Sequence, residues 1–284
     1  MQKEETEQTP LYLVSWFPGC SDPAVLARLR AGGIDGIELR HVDDESRRIR
    51  AAGMVVSFHL PFLKDGTPAE INLANERILR PYREGRMAGL AVSPLPYLGF
   101  HFGYSAIEVE KQHGPDTALT PTLSRAETAE RIGRTVAALA RCTGKQILLE
   151  NMDYGPTGAV EHVCEPDFLR ACAEAWRCGT IFDIAHALVS AAPLGLTTAE
   201  YMEEMIVQTA PLMRSIHLNA PSDGLDMHLP ATPEVLNWLR RAREAGARPL
   251  SLVLERQAPP DCPPLEFAAR LSAEKVIVRS VWCD

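Results

Sequence analysis

The chain lacks several things that would each define a function class. No Gly-rich GxGxxG follows the first apolar run; FPGCSDP stands there instead, so a dinucleotide-type phosphate cradle is absent from its usual place. The cysteines Cys20, Cys142, Cys164, Cys172, Cys178, Cys262 and Cys283 are seven, an odd number, and no two have CxxC spacing. That argues against a disulfide framework and a thiolate zinc site and predicts free thiols in a reducing compartment. No apolar run approaches the roughly 18 residues of a membrane span. The first ten residues, MQKEETEQTP, are polar and acid-rich where a secretory signal would be basic and then apolar. A cytoplasmic location is therefore expected. Basic excess is also missing: 29 Lys and Arg face 37 Asp and Glu, for a formal net charge of −8, which leaves no electrostatic footprint for nucleic acid.

What remains is an ordinary globular composition, 46% hydrophobic and 23% charged, which excludes disorder, collagen-like sequence and coiled coil. Eight short apolar runs with little polar alternation recur along the chain: residues 11–17, 34–39, 54–60, 97–102, 146–151, 180–185, 214–219 and 250–255. Such runs are strands buried on both faces, as in a parallel sheet. Amphipathic stretches lie between them. DPAVLARLRAGG has Asp22 and Pro23 at its start and Gly32-Gly33 at its end, and TLSRAETAERIGRTVAALARCTG stops at Gly144. EPDFLRACAEAWRCG and TPEVLNWLRRAREAG also have an acidic or Pro start and a Gly stop, and TTAEYMEEMIVQTAP starts at Thr197 or Thr198. Alternating strands and helices imply right-handed βαβ units, and eight of them make a (β/α)8 barrel. An open doubly wound sheet is the alternative. KVIVRSVW (275–282) is an extra apolar run, read as a terminal strand or a segment packed on the barrel. The expected organisation is a disordered tail over residues 1–10 and one metal-dependent barrel domain over 11–284.

In a (β/α)8 barrel the active site forms at the C-terminal strand ends. Six consecutive runs end there in ligand-type residues: His59, His101, Glu150-Asn151, Asp183 with His186, His217 followed by Asp226 and His228, and Glu255. Burying four carboxylates together costs many kcal/mol unless cations neutralise them. Five imidazoles and four carboxylates exceed the needs of one ion and suit two or three divalent metals. Mixed N/O ligation without thiolate fits Fe, Mn or Zn. The other histidines, His41, His113 and His162, read as surface residues. Arg47, Arg48 and Arg50 follow Asp43, Asp44 and Glu45 on an expected solvated helix.

The spacing Asp183-x-x-His186, His217, Asp226-x-His228, Glu255, with His59, His101 and Glu150 upstream, resembles the nine-ligand pattern of the trinuclear-zinc AP endonucleases. The surrounding sequence resembles a related branch, the multinuclear non-haem iron-dependent oxidases. ENMDYG followed by EPDFLRACAEAWRCGTIFDIAHALVSAAPLGLTTAEYM, and SIHLNAPSDGLDMHLPATPEVLNWL, are the segments that carry this likeness, from about residue 146 to 255. The chain departs from that pattern at His186, where those oxidases usually have Asn, at Leu229-Pro230, and at Asn219-Ala220-Pro221, where a His usually ends the motif.

The resemblance implies a xylose-isomerase-like TIM barrel in which Glu150 bridges metals. His59, His101, Asp183, His217, Asp226, His228 and Glu255, with His186 as an additional ligand, would complete a cluster of two or three Fe ions. Zn or Mn is the alternative. It implies O2-dependent oxidation of a cysteine-containing peptide, often delivered by a partner protein. Asn151 is expected to support the ligands or contact the substrate, together with Glu150, Asp183 and His217. Two other readings stand. A zinc phosphodiesterase could use Phe62 as a wedge in DNA, but the rim is thinly supplied with cations for phosphates: Arg40, Lys64, Arg256 and few others. A sugar isomerase or epimerase needs only Glu150, Asp183, His217 and Glu255 and leaves the other donors without a task.

Overall fold

The structure is a computed structural model that describes residues 9–62, 72–110 and 115–283. Residues 1–8 of the tail, Lys64 and His113 lie outside the described residues, as does the Phe62 side chain. Eight parallel strands close into a barrel: β1 (Leu11–Ser15), β2 (Gly36–His41), β3 (Val55–Phe62), β4 (Tyr97–His101), β5 (Gln146–Glu150), β6 (Gly179–Asp183), β7 (Met213–Leu218) and β8 (Ser251–Leu254). Each pairs with its neighbours in sequence, and β1 closes on β8 with Leu11 opposite Ser251 and Val14 opposite Leu254. Eight strands closed in sequence order exclude the open sheet, which would leave two edges.

Besides the four-residue turn Arg80–Arg83, the described α-helices are α1 (Pro23–Ala31), α2 (Asp44–Ala51), α3 (Arg125–Thr143), α4 (Pro166–Trp176), α5 (Ile184–Ser190), α6 (Thr198–Thr209), α7 (Pro233–Glu244) and α8 (Pro264–Cys283). Their starts follow local chemistry. The Asp22 carboxylate accepts from the amides of Ala24 and Val25, and Ser124–Glu127 and Thr197–Glu200 form reciprocal capping boxes. Gly144 ends α3 in the left-handed conformation. The expected Gly stop of α4 is displaced: Arg177 takes the left-handed position, and Gly179 belongs to β6. There a Cβ would lie 2.7 Å from both Arg214 Cγ and Leu148 Cδ2, so the close strand approach is what requires glycine. KVIVRSVW is not a strand. It forms the last turns of α8, where Phe267, Leu271, Lys275 and Val278 recur at helical spacing and are buried. No described helix is long and apolar enough to cross a membrane.

Two apolar layers result. One lies between the barrel and its helices. A smaller one fills the barrel interior with Leu13, Leu95, Tyr97, Leu148, Ile181 and Val253. Strand side chains alternate, so the interior residue two positions further on stands directly above. Above Leu148, Ile181 and Val253 stand Glu150, Asp183 and Glu255. Above Ser57, Gly99 and Ser215 stand His59, His101 and His217. The polar ring is thus the upper layer of the barrel's own filling.

Candidate metal centre

The ring is anchored on Glu150, which is fully buried at the end of β5. His59 Nε2 lies 3.0 Å and His101 Nε2 3.1 Å from Glu150 Oε2, and His217 Nδ1 lies 2.9 Å from Oε1. The same His217 Nδ1 is 2.8 Å from Glu255 Oε2 and 3.9 Å from Asp183 Oδ2. An outer arc continues from there. His228 Nε2 lies 3.3 Å from Glu255 Oε1, His228 Nδ1 3.3 Å from Asp226 Oδ2, and His186 Nε2 3.5 Å from Asp226 Oδ2. All nine residues with ligand chemistry therefore come together at the C-terminal mouth of the barrel.

Asn151 plays a different part. Its amide donates to the Asp183 carbonyl at 2.9 Å, and its side-chain oxygen accepts from the Asp183 amide at 2.8 Å, so it clamps β5 to β6 from inside. The Asn151 carbonyl faces His186 Nδ1 at 2.9 Å, while Asp183 Oδ1 accepts from the His186 amide at 2.8 Å. Asn219 donates to Asp183 Oδ2 at 3.1 Å.

Charge decides how these groups coexist. Burial alone would raise the Glu150 carboxyl, but the facing His59 and His217 imidazoles hold it well below the usual carboxylate range. Glu255 is likewise held down against burial, by His217 and His228. Asp183 goes the other way: burial raises it, reinforced by Asp226, Glu150 and Glu255. Burial opposes the charged form of His217, His186 and His228, yet the surrounding carboxylates raise all three. Positive charge is what this pocket calls for, and protonated imidazoles supply it when nothing else does.

The donor geometry fits metal ions better than hydrogen bonds. His59 Nε2, both Glu150 oxygens and His217 Nε2 are buried and make no hydrogen bond among the described residues, although polar atoms lie within 3.2 Å of each. Such atoms normally cost about 1–3 kcal/mol each when left unmade. Three sets have ligand atoms within 4.8 Å of one another: His59–His101–Glu150, Glu150–Asp183–His217–Glu255, and Glu38–His59–His217. Glu150 shared by two sets is the arrangement of a bridging carboxylate. His186, Asp226 and His228 fall outside these tight sets.

Glu38 was not foreseen. It sits fifth in the run IDGIEL, where a lone acid reads as a solvated strand end, but it is 4% exposed and faces His217. Its signal is positional: it stands two residues beyond Gly36, in the same ring as the other donors. His41 is not a plain surface residue, since it lines the cleft over the ring. His162 is half-buried: its ring lies 3.4 Å from Glu165 and its amide donates to Ser105 Oγ at 3.1 Å. The expectations for α2 and the thiols agree with the structure: Arg47 pairs with Asp44 at 2.8 Å on an exposed face, and all seven cysteines are free.

A cleft of about 540 Å³ opens over the ring, bounded by Trp16, Arg40, His41, Gln257 and the donors Glu38, His59, His228 and Glu255. Arg40 reaches Glu255 Oε1 at 3.2 Å, and Arg256 Nε lies 3.5 Å from Glu274.

Fold and donor set together define a xylose-isomerase-like (β/α)8 barrel enzyme whose buried His, Glu and Asp groups can hold metal ions. Among solved structures, the chain superimposes on a xylose isomerase domain protein from Alicyclobacillus acidocaldarius with a TM-score of 0.60 at 15% identity, covering 97% of this chain and 99% of that one. It superimposes on endonuclease IV from Thermus thermophilus with a TM-score of 0.56 at 14% identity, covering 96% and 98%. At such identities the likeness shows the fold alone. A UPF0276 protein of Caulobacter vibrioides is 27% identical over 203 residues, 69% of this chain and 68% of that protein. The model of the RiPP precursor modification enzyme family MbnB/TglH/ChrH matches residues 96–279, and the chain belongs to that family. This is the multinuclear non-haem iron-dependent oxidase branch that the ENMDYG segment resembles. The match extends the likeness to His101 and into α8; His59 precedes it.

Proposed function

We propose that the protein is a multinuclear non-haem iron-dependent oxidase that uses O2 to modify a cysteine-containing peptide. The observation that carries this reading is the buried Glu150 carboxylate, met within 3.1 Å by imidazoles from three other strands. In a family of RiPP precursor modification enzymes, that arrangement is best used as a carboxylate bridge between ions. His59, His101, Glu150, Asp183, His186, His217, Asp226, His228 and Glu255 would hold two or three Fe. Iron supplies the one-electron and O2 chemistry that no protein side chain provides.

The chain's own residues do the remaining work. Glu150, Asp183 and His217 fix the ion positions from rigid strands. Asn151 and Asn219 set the Asp183 carboxylate by hydrogen bonds at 2.8–3.1 Å. The cleft between Trp16 and His228 is where a peptide would reach the ions, and its volume of about 540 Å³ suits a short segment rather than a folded domain. A partner protein that presents the peptide fits this arrangement, as do a cytoplasmic location and one barrel domain over residues 11–284.

A zinc phosphodiesterase is the second reading, because His186 occupies the endonuclease-like ligand position, 3.5 Å from Asp226. Against it, the described rim arginines Arg40 and Arg256 both face acids, which offset the positive charge they would offer a phosphate. The test is elemental analysis and Mössbauer spectroscopy of protein made in iron-replete cells. More than one Fe per chain is expected. Zinc alone, with cleavage of abasic-site DNA, would overturn the proposal.

A further inference from the structure

The barrel floor beneath the ring is unusual. Such interiors are filled mainly by branched aliphatic side chains. Here a chain of hydroxyls crosses it. Ser215 Oγ lies 2.8 Å from Ser251 Oγ, which lies 2.7 Å from the Tyr97 hydroxyl. Tyr97 also hydrogen-bonds Ser57, and Ser57 Oγ donates to Glu38 Oε2 at 3.1 Å. Burial pushes the Tyr97 phenol up to about 12, so it stays a neutral hydrogen-bonding group. The network runs through β7, β8, β4 and β3 and ends on one carboxylate, Glu38 of β2.

The other oxygen of that carboxylate, Oε1, lies 3.2 Å from His217 Nε2. The opposite ring nitrogen, Nδ1, is the one facing Glu150, Glu255 and Asp183 at 2.9, 2.8 and 3.9 Å. A histidine that ligates a metal through one nitrogen ordinarily gives its other N–H to a carboxylate or carbonyl, which fixes tautomer and ring direction. Two features make Glu38 suited to that task and poorly suited to solvent chemistry. It is almost fully buried, and one of its oxygens is already tied to Ser57.

We propose that Glu38 is the positioning residue for His217. Ser57 and the hydroxyl chain hold it, and its Oε1 stands 3.2 Å from Nε2 but outside hydrogen-bond geometry here. It would take the Nε2–H once Nδ1 carries an ion, and so leave the Nδ1 lone pair facing Glu150, Asp183 and Glu255. Glu38 is thereby an acceptor behind the ligands, although it lies among them. The inference rests on the metal-centre reading but not on iron or O2, and any divalent ion that binds the wild type tests it.

The test is metal-free protein titrated with Zn(II) or Co(II) against a competing chelator, in wild type, Glu38→Ala, Glu38→Gln and Ser57→Ala. Glu38→Ala is expected to weaken one ion by about 10–100-fold and leave the others, the usual effect of removing such a partner. Glu38→Gln keeps an acceptor oxygen and is expected to restore most of the affinity. Ser57→Ala should fall between wild type and Glu38→Ala. Nitrogen-15 NMR of the zinc-loaded wild type should show His217 protonated at Nε2 and metal-bound at Nδ1. Loss of the ion in Glu38→Gln as complete as in Glu38→Ala makes Glu38 a ligand and overturns the proposal. Unchanged affinity in both, or metal on Nε2, overturns it too. If Glu38→Ala fails to fold by circular dichroism, the Gln and Ser57 variants and the NMR assignment decide. A wild type that binds no metal overturns the metal-centre reading as well, and this would show before any variant is compared.

Discussion

The inner and outer halves of the candidate metal centre are built differently. The inner residues, the donors His59, His101, Glu150, Asp183, His217 and Glu255 with Glu38 behind them, all stand on barrel strands or at the first residue beyond one. The outer donors do not: His186 is in the first turn of α5, and Asp226 and His228 are on a hairpin that pairs Ala220–Ser222 with Leu225–Leu229. Glu150 and His217 are fully buried, whereas the His228 side chain is 27% exposed and its backbone takes a left-handed φ of 49°. A non-glycine residue there costs about 1–2 kcal/mol, met in this case by contacts to Glu255 and Asp226. The contrast teaches a division of labour. Strands supply the buried inner part, and a short helix and a hairpin supply the outer part.

The largest expected effect breaks the inner half. Glu150→Ala should remove at least two ions at once, read by elemental analysis of the purified variant. Loss of a single ion would mean that Glu150 does not bridge. A smaller effect separates the halves. Asp226→Ala or His228→Ala should lower the metal content by no more than one ion per chain, with the inner ions retained at wild-type affinity. Emptying of the whole centre by either variant would show the two halves to be one cooperative unit.

The smallest effect is on protons. His186, His217 and His228 are all raised by their carboxylate neighbours, against burial, so the metal-free chain holds protons on these rings more tightly than free imidazoles would. Ligation needs the neutral ring, so metal uptake releases protons and affinity falls as pH drops. Calorimetric titrations in buffers of different ionisation enthalpy measure this release. Proton release should be smaller in His228→Ala than in wild type. Release of no protons would place the rings in the neutral state and break the charge argument.

The barrel was legible in the sequence because its strands are buried on both faces and so read as unbroken apolar runs. Seven of the nine ligand-type residues were legible because they stand at or beside the ends of those runs; Asp226 and His228 were legible in the loop that follows the seventh run. What escaped did so for physical reasons. Glu38 lies inside the ring only because β1 closes on β8 and turns β2 toward β7, a relation no local pattern carries. KVIVRSVW has the β-branched composition of a strand, yet packing of α8 against α1 and α7 decides its state. Asn219 was visible only as a departure from a motif. The contact that explains it, to Asp183, spans 36 residues.

The interior layer of Leu13, Tyr97, Leu148, Ile181 and Val253 is complete below the donors, and the imidazoles balance the carboxylates above it. Assembly can therefore run in sequence. If the ring binds metal as proposed, the polypeptide would finish its architecture first, with protons as placeholders, and would take up cations afterwards on a clock separate from its own synthesis.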